Sequence, residues 1–127
     1  MSVEIHIIDG PIRAHAAATS HDGAGATVVF DGIVRGIEDG QSLAALSYEH
    51  YEPMASEQLR ALAEDILHKH TLLALHCHHS RGRVNIGECS MRVIIHSAHR
   101  KEALAAMGEF IDRLKRDVPI WKSVIWA

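Results

Sequence analysis

The stretch "IIHSAHRKEAL", Ile94–Leu104, decides the fold. An apolar run of strand character, reaching back to Glu88, ends at Ser97, and a helical pattern starts at once near His99. Ala103, Leu104, Met107, Phe110, Ile111, Leu114 and Val118 then form one apolar stripe, and Pro119 stops the helix after Asp117. Working outward, Glu88–Ser97 and Leu72–Ser80 read as two strands joined by Arg81–Gly87, whose Gly82 and Gly87 supply turn positions. A second helix opens at Pro53 and carries Leu59, Leu62, Ala63, Ile66 and Leu67 to about Lys69. Nearer the start, Val3–Ile8 is a strand, Pro11–Ser20 a short alanine-rich helix, and His21–Gly25 a turn. Ala26–Val34 is a strand with a bulge at Asp31-Gly32. Ile37–Ser42 reads as a flexible loop and Leu43–Tyr48 as a further strand. Two long helices among about five mostly antiparallel strands, with hairpin-length links, predict an α+β fold, one domain over residues 1–127.

Composition narrows the function. With 127 residues, 47% hydrophobic and 23% charged, the chain is sized and composed like an ordinary soluble domain. It has no apolar run of membrane-helix length and no export signal at its start, so no membrane partner is expected. Cys77 and Cys89 are not spaced as a C-x-x-C pair, and a reduced, cytoplasmic setting is the expectation. The net charge of −3 argues against nucleic acid. Its distribution is uneven: residues 1–98 hold seven Lys/Arg against twelve Asp/Glu, whereas residues 99–127 hold six against four. A small anionic ligand suits such a local surplus better than a long polyanion does.

Arg100 falls on the apolar stripe of the last helix, in its first turn. An arginine there either snorkels past the core to pair with an acid, or joins His99 and the free N–H groups of the helix start in facing an anion. Lys115 lies fifteen residues further on, about 22 Å along a helix. One small ligand does not easily span that distance, so either the two serve different purposes or, as we favour, the site is assembled across a dimer. Lys115 and Lys122 are more easily joined, because the chain breaks at Pro119 and can fold back, with Trp121 beside Lys122. A desolvated lysine among other cations can transfer protons; two solvated lysines at a helix C-terminus are the ordinary alternative. In "DGIVRG", Arg35 closes an apolar strand beside a glycine, a suitable place for an anion contact. "HCHHS" puts His76 and His78 on one strand face and Cys77 and His79 on the other, but no spacing brings a third ligand, so no metal is expected. Neither cysteine has a local activating base.

Taken in order, "FDGIVRG", "LSYEHYEPMA", "HSRGRVNIGE", "SAHR" and "LKRDVPIWK" resemble the large, catalytic subunit of molybdopterin synthase, the MoaE family, over almost the whole chain from Gly25 onward. The resemblance implies an α/β-hammerhead fold with additional strands. It also implies sulfur transfer to cyclic pyranopterin monophosphate, giving molybdopterin for the molybdenum cofactor. The sulfur would arrive as a thiocarboxylate on the C-terminal glycine of a small ubiquitin-like subunit, in a heterotetramer built on a large-subunit homodimer. Arg35, His99 and Arg100 match the family's pterin-phosphate positions, with Ile33 and Val34 beside them in the substrate-binding set. Lys115 and Lys122 match the lysines nearest the chemistry. They would bind the thiocarboxylate, stabilise the oxyanion formed as sulfur leaves carbon, and move protons. No cysteine, metal or cofactor of this chain is then required, and His99-Arg100 would reach the pocket from the other subunit.

This chain departs from its relatives in two ways. Ile33 stands where many of them have lysine, and the chain stops at Ala127, five residues after Lys122, where they usually continue with a polar, tryptophan-containing tail. The first departure leaves the site one cation short; the second implies either that the hydrophobic ending "SVIWA" docks differently or that the pocket is more open. Two rival readings are a non-catalytic dimeric homologue that binds the ubiquitin-like partner or a pterin without turnover, and a histidine-rich metal-binding protein.

Overall fold

The computed structural model describes residues 2–13 and 21–127. Along them the chain runs β1 (Ser2–Asp9), β2 (Ala26–Ile33), β3 (Ile37–Glu38), β4 (Gln41–His50), α1 (Met54–Lys69), β5 (Ala74–Asn85), β6 (Cys89–Ser97), α2 (Arg100–Asp117) and β7 (Ile120–Trp126). The strands make one sheet in the order β2-β6-β5-β4-β3, with β1 added beside β5 and β7 beside β4. Only the β1–β5 pairing is parallel. This is the expected α+β arrangement of mostly antiparallel strands and two long helices.

The long strand β5 ties two regions together. Its first part pairs with β1 and β6, and its last residues, Gly82–Asn85, pair with Tyr48–Ala45 of β4. Both helices pack on the first region. Leu59, Ile66 and Leu67 of α1 and Ala103, Ala106, Met107, Phe110 and Leu114 of α2 bury against Leu75, Cys77, Val93 and Ile95. A smaller core of Val34, Leu43, Leu46 and Val84, with Tyr48 and Val124 against it, holds the second region. A cleft lies where the two regions meet.

Several expectations need correction. Arg81–Asn85 is strand rather than loop, since Gly82, at φ +84°, is accommodated within β5 and Val84 is fully buried; the turn is confined to Ile86-Gly87. Ile37–Ser42 is a tight hairpin, not a flexible loop. Asp39 (φ +49°) and Gly40 (φ +77°) take the paired positive dihedrals of a two-residue turn whose twist suits its strands. The tail after Pro119 forms β7, a strand not expected from its sequence. Ile12 bridges to Cys89, so no helix starts at Pro11; the rest of the expected segment, residues 14–20, lies outside the described residues. The α2 stripe is rotated toward Ala106, and Leu104 is 58% exposed. Arg100 is exposed too, at the edge of the arc that Ala103, Met107, Phe110 and Leu114 bury. The expected bulge in β2 falls between Gly32 and Ile33.

The helices are also joined by charge. Glu109 of α2 accepts hydrogen bonds from Lys69 (2.9 Å) and His70 (2.9 Å) beyond α1, and from Arg113 (3.1 Å), which also reaches Asp65 at 2.7 Å. These partners, Lys69 foremost and then His70, hold the Glu109 carboxyl down at about 2. A carboxylate whose pKa is depressed on folding stabilises the fold above its unfolded value and loses that contribution as pH falls through the folded one. The Tm difference between wild type and Glu109→Gln is therefore expected to be full at pH 6 and to shrink between about pH 4.5 and 2. A difference independent of pH in thermal melts would show that this cluster contributes no ionic stabilisation.

Candidate active site

A cleft of about 410 Å³ opens between the C-terminal end of α2, the start of β7, the bulged end of β2 and the face of β4. Pro119 and the extended Val118 turn the chain straight from α2 into β7, whose backbone then pairs with β4 from Ile120↔His50 to Trp126↔Leu43. This fold-back puts Lys115, in the last turn of α2, and Lys122, on β7, into one cleft lining. The β2 bulge does the same for Ile33, Val34 and Arg35. Val34 is only 3% exposed and anchors the segment in the smaller core, while Ile33 and Arg35 stay exposed at the rim. Five of the seven residues singled out from sequence thus share this cleft.

The other two do not. His99 is the N-cap of α2 and Arg100 its first residue, both exposed, at the opposite end of an eighteen-residue helix. Gly25 packs so closely there that a Cβ would collide with the Ala98 carbonyl oxygen, and its N–H donates to the Ser97 carbonyl at 3.0 Å. The backbone that presents His99-Arg100 is therefore held by β2 as well as by α2. Within one chain this pair does not line the cleft.

Side chains that sequence reasoning missed complete the lining. Tyr48 faces Lys122 directly across the β4–β7 ladder, and its hydroxyl donates to Ser90 Oγ at 3.1 Å. Ser90 Oγ in turn donates to the Gly32 carbonyl at 3.4 Å, linking β4, β6 and the β2 bulge. His79 meets the Tyr48 ring edge-on at 5.4 Å, and its Nδ1 donates to the Ser80 carbonyl at 2.9 Å. Burial pushes His79 down to about 4 and raises the Tyr48 phenol, so both are neutral near pH 7. Glu38, from the β3–β4 hairpin, is the only carboxylate among the cleft residues, 3.9 Å from Lys122 Nζ. Phe30, Met91 and Trp121 supply apolar wall.

Neither thiol is a nucleophile. Burial pushes Cys77 up to about 12 and also raises Cys89, with the Asp31 charge adding to the latter. Among the described residues no group of three or more His, Cys, Asp or Glu is arranged to hold a metal ion. No helix among them is long and apolar enough to cross a membrane.

The structure thus defines an α+β protein whose cleft gathers three cations, Arg35, Lys115 and Lys122, beside neutral hydrogen-bonding walls and one carboxylate. Comparison with known proteins names the family. The MoaE protein family model matches residues 7–117, and the chain belongs to that family. The molybdopterin synthase catalytic subunit of Nostoc sp. is 41% identical over 103 residues, covering 80% of this chain; the match spans 62% of that relative's length. The crystal structure of molybdopterin synthase from Staphylococcus aureus superposes with a TM-score of 0.86 at 34% identity, covering 96% of this chain and 90% of that one. A complex of subunits 1 and 2 of the molybdopterin-converting factor from Helicobacter pylori matches with a TM-score of 0.70 at 29% identity, covering 97% and 89%.

Proposed function

We propose that this chain is the catalytic subunit of a molybdopterin synthase, transferring sulfur from a thiocarboxylated partner tail to cyclic pyranopterin monophosphate. The observation that carries this reading is the convergence of Lys115, Lys122 and Arg35 on one cleft from three separate elements. Arg35 and, from a second copy, His99 and Arg100 bind the phosphate; Ile33 and Val34 shape the pocket beside them. Lys115 and Lys122 receive the thiocarboxylate and stabilise the oxyanion that develops as its carbon–sulfur bond breaks. The raised, protonated Tyr48 phenol and the neutral His79 add no competing charge. The inert thiols fit a reaction in which the partner brings the sulfur.

The partner in this reading is a small ubiquitin-like carrier, and the assembly is a heterotetramer around a homodimer; the two-subunit Helicobacter complex supports the presence of a second subunit. The 127 residues act as one domain, and the two free, buried cysteines suit a cytoplasmic setting. Reconstitution with a thiocarboxylated partner and the cyclic pterin substrate tests the proposal: molybdopterin should form. Partner binding without any product would favour the non-catalytic alternative, to which the uncharged Ile33 at the rim, 50% exposed, gives some support.

A further inference from the structure

Glu38 is out of place in a cleft built for anions. The hairpin turn at Asp39-Gly40 fixes it at the rim, with Glu38 paired to Gln41 across the two-residue connection. Its side chain is 30% exposed and Lys122's is 53% exposed, and the two face each other at 3.9 Å. The Glu38 charge also reaches Tyr48, adding to the effect of burial on that phenol. So the carboxylate sits over the part of the cleft where β4 and β7 present Tyr48 and Lys122 side by side.

We propose that Glu38 is an internal counter-ion that holds the place of the partner's terminal thiocarboxylate on Lys122 and is displaced when the tail seats. The inference rests on the sulfur-transfer reading above. A carboxylate and a thiocarboxylate carry the same single negative charge on the same planar fork, so they compete for one ammonium. An ion pair at 3.9 Å between partly exposed groups is weak, worth a factor of a few in an equilibrium. It keeps the empty cleft from carrying three uncompensated cations, yet yields to an anion that Arg35 and Lys115 also attract. Because so short a hairpin keeps Glu38 close by, it re-covers Lys122 as the spent tail leaves, and so favours release.

The test uses the full chain and two synthetic peptides of identical sequence ending in Gly-Gly, one with a free carboxylate and one amidated. Binding is read by tryptophan fluorescence in a Trp126→Phe background, which leaves Trp121, in the cleft lining, as the reporter. Glu38→Gln should bind the carboxylate peptide about two- to five-fold more tightly and the amidated peptide unchanged. In a Lys122→Ala background the gain should vanish. Equal tightening of both peptides, a gain that survives Lys122→Ala, or no gain at all would each overturn the proposal. The readout is binding alone. A chain that made no molybdopterin yet showed this pattern would lose the catalytic reading and keep the counter-ion.

Discussion

Lys115→Ala is expected to abolish turnover and leave the fold intact. The side chain is exposed in the last turn of α2 and makes no ion pair among the described residues. Its removal costs the fold at most the favourable interaction of a cation with the helix C-terminus, about 0.3–1 kcal/mol. Its loss from the cleft is a different matter. A preorganised group that meets developing negative charge is worth roughly a hundred- to thousand-fold in rate. Lys122 does not replace it, because that amine approaches the cleft from a different element, β7. Single-turnover product formation, measured beside a thermal melt, separates the two effects. Normal turnover in a folded variant would remove Lys115 from the chemistry.

Arg100→Ala is expected to weaken substrate binding and spare the chemical step once substrate is bound. A charge-assisted hydrogen bond to a phosphate oxygen contributes about 1.5–3 kcal/mol, or roughly ten- to a hundred-fold in Kd. Arg100 is exposed at the start of α2 with no ion pair among the described residues, so no fold-stabilising contact is lost with it. The expected signature is a raised KM with a nearly unchanged kcat, checked by equilibrium binding of the cyclic pterin phosphate. An unchanged Kd would reassign Arg100 to a structural role.

The helices were legible because their burial is periodic: Leu59, Leu62, Ile66 and Phe110, Leu114 announce their faces without knowledge of any partner. Strands β2 and β6 were legible for a related reason, being apolar runs ended by turn residues. The misread segments are those whose structure comes from pairing. Arg81–Asn85 has one buried apolar residue, Val84, and is a strand because β4 lies beside it. The final segment, Ile120–Trp126, has no fully buried position and is a strand because β4 offers its other edge. The site divides in the same way. Arg35, Lys115 and Lys122 stand out as cations at the ends of elements. Tyr48, His79, Ser90 and Glu38 enter the cleft only through the pairings of β4 with β7, β5 and β3 and of β6 with β5 and β2, and no spacing along the chain announces those. Leu104 misled for a simpler reason: a leucine next to a buried arc was counted within it.

The separation of His99-Arg100 from the cleft that holds Lys115 leaves one structural question, whether two copies build each site. Mixed dimers of Lys115→Ala and Arg100→Ala chains answer it. If Arg100 serves its neighbour's cleft, each mixed dimer regains one unaltered site. Random reassembly of the two inactive or weakened proteins should then restore about a quarter of wild-type activity at limiting substrate. Activity no greater than the average of the two parent variants would mean that each chain works alone, and would contradict the account.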